Sequence, residues 1–267
     1  MSSAQPSGQK KPDPLTAPQN KRLCMSLESW YPQLSLVAKT PRTLVYQTDV
    51  ELSSILDGKT PPGWSAFIKH LTALCDQIGY PCFLRTGHTS AKHSWSESCF
   101  VTSAAVVHSR VREIVEYSCL CDIIGLPTNV WAVRELLETQ PIFTAFYGRM
   151  PITKERRYFI QDGRVVCHHG YWPAVAIQNH NPSERQWNYR LGKMNHESLE
   201  EISELTERSI AVSRSFAGAW SLDWLWAKSK DDSEFDWYAI DMAWAERSFH
   251  WPGCPLEHHF NPRKETK

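Results

Sequence analysis

The sequence predicts an α+β fold in one compact unit, with strand concentrated toward the C-terminal half. Three observations lead there. Apolar residues recur at helical spacing over 64–78 and again over 104–121. Short apolar or alternating runs bounded by turn residues follow them, at 129–136, 141–146, 157–160 and 164–167. Two late runs, 220–227 and 237–242, are joined by the hydrophilic loop 228–236 and should pair as antiparallel strands.

Each element has its own justification. Between Trp64 and Ile78 the apolar positions Phe67, Ile68, Leu71, Leu74 and Cys75 share a helix face, and Gly79 supplies the stop. Pro81-Cys82-Phe83-Leu84 reads as a short buried strand. Val107, Val111, Ile114, Val115 and Ser118 mark one side of an amphipathic helix. Asp162-Gly163, between the runs 157–160 and 164–167, is the strongest hairpin signal in the chain. The stretch 178–196 is polar and Asn-rich and reads as a loop, after which Leu199, Ile202, Leu205 and Ile210 outline a helix. In the late pair, Trp220, Leu222, Trp224 and Trp226 fall on one face, with Ser221, Asp223 and Leu225 on the other.

Composition bounds the function. Lysine plus arginine balance aspartate plus glutamate at 29 each, so no global field recruits nucleic acid or an anionic membrane, and nucleic acid is not an expected partner. No apolar run approaches the roughly 20 residues of a membrane span, and a membrane partner is not expected either. Residues 1–24 are rich in Ser, Pro, Gln and Lys and predict a disordered tail; residues 256–267 predict a flexible one. With eight cysteines in 267 residues, mostly among apolar neighbours, the thiols are expected to be reduced and the protein cytoplasmic. Eleven histidines raise the question of zinc, but Cys119-Leu-Cys121 is the only close cysteine pair, and its spacing suits a tetrahedral site poorly.

Four clusters carry chemistry. In Phe83-Leu84-Arg85-Thr86-Gly87-His88-Thr89-Ser90-Ala91-Lys92 a buried strand delivers an arginine into a hydroxyl-rich loop that ends in lysine, a combination that offers cations and N–H groups to phosphate oxygens. The spacing is not that of a P-loop. Arg134-Glu135 is a charged pair inside the apolar strand Val130–Leu136, whose bland alternative is a salt bridge at the sheet rim. Glu155 and Arg157 share one face of a strand that feeds the hairpin, where a cross-strand ion pair is the competing explanation. Asp223 and Asp241 lie on the two late strands; if they share a face they repel unless protonated or bridged, and magnesium is the economical bridge. Their register is open, because one residue of slip sends one of them to the other side.

Together the segments FLRTGHTSAK, VWAVRELL, MPITKERRYFIQDGRVVCHHGYWP, WSLDWLW and WYAIDMAWAERSFHW resemble, in order and local sequence, the ATP-grasp superfamily. The likeness is to the branch marked by two arginines and a lysine, which includes a eukaryotic cell-division-cycle assembly chaperone for an initiation factor and many phage and bacterial proteins. It covers roughly residues 64–254.

The resemblance implies an ATP-grasp-like fold of two lobes, about 25–135 and 136–255, with a nucleotide cleft between antiparallel sheets. It implies ATP and Mg²⁺ as cofactors. Arg85 and Lys92 would contact the phosphates, and Arg134 and Glu135 would lie at the inter-lobe hinge beside base or ribose. Arg157 would steady the transferring phosphoryl group, which makes Arg157 and Lys92 the catalytic pair, and Asp223 and Asp241 would hold magnesium. One position departs from the branch: Ala243 stands where an asparagine is usual, so Glu246 or Ser248 would have to serve as the further ligand. The implied activity is a ligase of carboxylate–amine type acting through an acyl-phosphate on a small acid, a peptide or a protein, with His88, His168, His169 and His250 as candidate lining residues. The alternative is a non-catalytic ATP-binding assembly factor or protein-interaction module.

Overall fold

Two four-stranded antiparallel sheets turn their polar faces toward a shared cleft, and each buries its apolar face under helices. This computed structural model describes residues 25–121, 125–180 and 184–251. The tails expected over 1–24 and 256–267, with Cys254, His258 and His259, lie outside the described residues.

The first sheet has the order β1 (Thr43–Gln47), β4 (Val130–Glu135), β2 (Cys82–Thr86), β3 (Phe100–Val101). Leu84, Trp131 and Val133 point to one side and pack on Phe67, Leu71 and Cys75 of helix α2 (Trp64–Ile78) and on Val111, Ile114 and Val115 of helix α3 (Val107–Leu120). The period-two alternation of strands then puts Arg85 and Arg134 on the opposite side, toward the cleft.

The second sheet has the order β10 (Asp236–Trp244), β9 (Ala219–Ala227), β7 (Glu155–Gln161), β8 (Arg164–Gly170). Tyr158, Ile160, Leu222, Trp224, Ala239 and Met242 form its apolar face. Helix α5 (Leu199–Ser213) covers them with Leu205 and Val212, and its first turn is capped by the Ser198 side chain, which accepts from the Glu201 N–H at 3.2 Å. The β7–β8 turn has Asp162 at φ 49° and Gly163 at φ 74°, both left-handed as the Asp-Gly signal requires.

Three features differ from the sequence expectation. Helix α1 (Leu27–Val37), within the span expected for the first lobe, buries Leu27, Trp30 and Leu34 against the second sheet instead, so from this helix the chain crosses from one lobe to the other. The polar stretch 178–196 contains helix α4 (Trp187–Asn195), whose Leu191 and Met194 pack under Trp172. The run 141–146 contributes only β5 (Phe143–Ala145), paired with β6 (Met150–Ile152) as a separate hairpin beside the cleft. Among the described residues no helix is long and apolar enough to cross a membrane.

Candidate active site

A cavity of about 600 Å³ lies between the two sheets, and Arg85, Lys92, Arg134, Glu135, Asp223 and Asp241 all line it. The spacing of the chain brings them from five segments. Arg85 sits at the end of β2, and Lys92 follows in a loop that reverses direction at Ala91, where φ is 52°. Thr86 organises that loop: its hydroxyl accepts from the Thr89 N–H at 3.0 Å, and its own N–H donates to the Thr89 carbonyl at 2.8 Å.

On the second sheet the register places His169, Arg157, Asp223 and Asp241 in one row across β8, β7, β9 and β10. Arg157 grips Asp223 with two parallel bonds, Nε to Oδ1 at 2.7 Å and Nη2 to Oδ2 at 2.8 Å. Burial works against the charge of Arg157, yet the Asp223 carboxylate holds the guanidinium above its ordinary value. Asp223 is buried, whereas the Asp241 side chain is 41% exposed.

The first sheet meets the second through these groups. Arg85 Nη1 donates to Asp241 Oδ1 at 3.0 Å, and Lys92 Nζ stands 3.5 Å from Glu155 Oε2. Burial opposes the Lys92 charge, but Glu155 and then Tyr171 raise its pKa above the usual lysine value. Glu155 is pushed up by burial, with Lys92 opposing and Asp223 adding to the shift. Arg134 reaches Thr43 Oγ1 with Nε at 3.1 Å and the Ile240 carbonyl with Nη1 at 2.7 Å.

The hinge carboxylate is already committed. Glu135 accepts from the Arg42 N–H at 2.7 Å and from the Ser229 hydroxyl at 2.8 Å, so its side chain braces the rim of the cleft. Beside it, Leu136, Leu137, Leu225 and Phe83 give the cavity an apolar slot.

Other expected residues fall elsewhere. Glu246 is exposed on the turn after β10 and does not line the cavity; Ser248 is buried and shares a 2.6 Å hydrogen bond with Ser221. His168 is on the outer face, stacked on Tyr158 and bonded to Glu197 at 3.0 Å, because strand alternation turns it away from His169. His88 lines the cavity, while His169, at the β8 end of the Arg157 row, and His250 next to it are outside its lining. The described cysteines form no disulfide with one another.

Two residues that the sequence left without a role belong to the site. Tyr171 lines the cavity with its ring centroid 4.0 Å from Lys92 Nζ and 4.6 Å from Arg157 Cζ, a cation on each lobe. Trp172 adds a second face 4.8 Å from Lys92 Nζ and donates from Nε1 to Glu155 Oε1 at 3.0 Å. The dipeptide follows Gly170, where a Cβ would lie 2.5 Å from Asn195 Oδ1; Asn195 in turn donates to the Trp172 carbonyl at 2.7 Å. A glycine before two aromatics at a strand end was the available signal.

The donor set fits magnesium in one way only. No group of three or more His, Cys, Asp or Glu among the described residues could cage a metal ion. Asp241, half exposed and next to Asp223 in register, suits an ion that takes most of its remaining ligands from phosphate and water.

Neither a protein-family model nor a curated protein sequence matches the chain. Among solved structures it is similar to Cdc123 from Schizosaccharomyces pombe, with a TM-score of 0.51 at 14% identity over 84% of this chain and 85% of that one. A C-terminally truncated Cdc123 gives a TM-score of 0.51 at 13% identity, with the same coverage. The ATP-grasp RimK domain protein from Sphaerobacter thermophilus is a looser match, at a TM-score of 0.43 and 11% identity over 83% of this chain and 59% of that one. The chain has an α+β fold of helices and antiparallel sheets. Its architecture is related to that of Cdc123, and at such identities the likeness speaks for fold alone.

Proposed function

We propose that the cleft binds ATP with Mg²⁺ and that the protein is a carboxylate–amine ligase acting through an acyl-phosphate. One observation carries this: cations of the first lobe, Arg85 and Lys92, meet the acids of the second sheet, Asp241 and Glu155, across one cavity that also has an apolar slot. The phosphates would draw Arg85 and Lys92 from their carboxylates, and the base would occupy the slot by the hinge. Asp241, and Asp223 once Arg157 turns from it to the γ-phosphate, would hold magnesium, which would supply charge neutralisation to the phosphates.

In the first step a substrate carboxylate oxygen attacks the γ-phosphorus and the bond to the β-phosphate oxygen breaks, giving acyl-phosphate and ADP. An amine then attacks the acyl carbon, phosphate leaves with the bonding pair, and the amine loses a proton. Lys92 and Arg157 contribute charge stabilisation and positioning, and no side-chain nucleophile is needed. The carboxylate belongs to a small acid, a peptide or a protein.

A specific feature favours the second reading, a non-catalytic ATP-binding assembly factor: both Asp223 oxygens are filled by Arg157, and Ala243 offers no ligand. Calorimetric titration of ATP with and without Mg²⁺ tests the shared part, with Lys92→Ala expected to weaken binding about tenfold. Unchanged affinity in Lys92→Ala would reject the assignment of the phosphate site. ADP release that depends on an added carboxylate and amine separates ligase from binder.

A further inference from the structure

Strand β10 carries one residue more than β9 where the two acids meet. Ala239 pairs with Trp224 and Asp241 with Asp223, so Ile240 is the extra residue of a bulge. In an unbroken ladder Ile240 would stand opposite Asp223, and Asp241 opposite Leu222, whose side chain is buried in the outer core. The bulge is therefore what turns Asp241 onto the cleft face.

β10 is the edge strand of its sheet, and main-chain groups at the bulge are satisfied from outside the sheet. The Ala239 N–H donates to the Lys39 carbonyl at 2.8 Å, and the Ile240 carbonyl accepts from Arg134 Nη1 at 2.7 Å. Arg134 is only 4% exposed and belongs to the other lobe. Its Nη2 has no hydrogen-bond partner, and burial, with Arg85 nearby, lowers its pKa to about 10. An arginine kept at that cost, with its shortest bond to a bulged carbonyl, is placed for main-chain support.

We propose that Arg134 is a positioning residue rather than a nucleotide ligand: by holding the Ile240 carbonyl across the lobes it maintains the bulge that sets Asp241 beside Asp223. The role rests on the magnesium–ATP reading above. It also gives the hinge arginine work that neither adenine nor ribose contact supplies, since its anchored nitrogens point to Thr43 and Ile240.

The test uses the full chain as wild type, Arg134→Lys and Arg134→Met, with two readouts. Calorimetry gives ATP affinity with and without Mg²⁺, and amide hydrogen exchange without nucleotide reports β10. Arg134→Met should leave metal-free ATP affinity within about twofold of wild type and cut the magnesium-dependent gain about tenfold, while Arg134→Lys retains part of the gain. Exchange should rise over residues 239–242 and stay unchanged in β7. A purely structural role would lower both affinities together and raise exchange across both sheets. Loss of metal-free affinity as large as in Lys92→Ala would make Arg134 a phosphate ligand and overturn the inference. So would an undiminished magnesium gain in Arg134→Met when wild type shows one. A wild type that binds ATP with no magnesium gain overturns the magnesium reading itself, and this role with it.

Discussion

Asp241→Asn separates the two jobs assigned to one carboxylate. Without metal, Asp241 is a competitor, because it holds Arg85 Nη1 at 3.0 Å and repels incoming phosphate. Its side chain is 41% exposed, so the pair is well screened and contributes about 0.5–1 kcal/mol. Removing the charge should therefore tighten metal-free ATP binding about 2–5-fold, the ratio that such an energy represents. With Mg²⁺ the sign reverses, since one of two carboxylates facing the phosphates is gone and the magnesium-dependent gain should shrink by at least about tenfold. Calorimetry in chelator and in excess Mg²⁺ measures both limbs on one sample. The reasoning fails if Asp241→Asn weakens metal-free binding, or if the variant keeps the whole magnesium gain.

Tyr171 offers a chemical contrast: Tyr171→Phe keeps the ring between Lys92 and Arg157 and should bind ATP like wild type, whereas Tyr171→Leu should lose about 2–10-fold, with equal affinities of the two variants as the contrary result. His169 gives a pH signature. Burial, with Arg157 and His250 adding and the Gly170 carbonyl opposing, lowers its pKa to about 4 from an unfolded value near 6.5. Its contribution is thus complete above about pH 6.5 and is lost as pH falls toward 4, on the order of 3 kcal/mol over the window. Urea midpoints should fall less steeply for His169→Gln than for wild type between those limits, and parallel slopes would count against the buried neutral imidazole.

The elements that the sequence announced are those whose own pattern decides them. Val111, Ile114 and Val115 need only a helix to meet, and Asp162-Gly163 needs only a turn with two left-handed residues. What stayed hidden depends on partners far along the chain. Helix α1 has Pro32 inside it and just three core residues, and its place is set by the second sheet, more than 100 residues downstream. Helix α4 has a mostly polar surface, and its two buried residues gain a core only from Trp172 and the β5–β6 hairpin. The site residues were legible as types, because arginine in a buried strand and aspartate between apolar neighbours are costly without a purpose. Their partners were not: Glu155 reads as the neighbour of Arg157, and only the fold shows Lys92 beside it.

The same long-range logic decides the register that alternation alone leaves open. Alternation places Asp223 opposite the apolar face of β9, but counting back from the β9–β10 loop would send Asp241 into the core with Leu222. A carboxylate there would be buried among the apolar residues around Leu222, whereas one extra residue brings it within 3.0 Å of Arg85. The bulge is then favoured from both sides, by the cost of the unpaired acid and by Arg134, which takes the displaced carbonyl. Consequently Arg157 fixes Asp223 within the second sheet, whereas the two arginines of the first sheet fix Asp241 and its bulge, so that part of the cleft is assembled by lobe contact. Anything that moves the lobes apart must loosen Asp241 and free Arg85 and Arg134 together, so the magnesium-dependent part of nucleotide affinity and lobe separation are expected to be coupled through these two side chains.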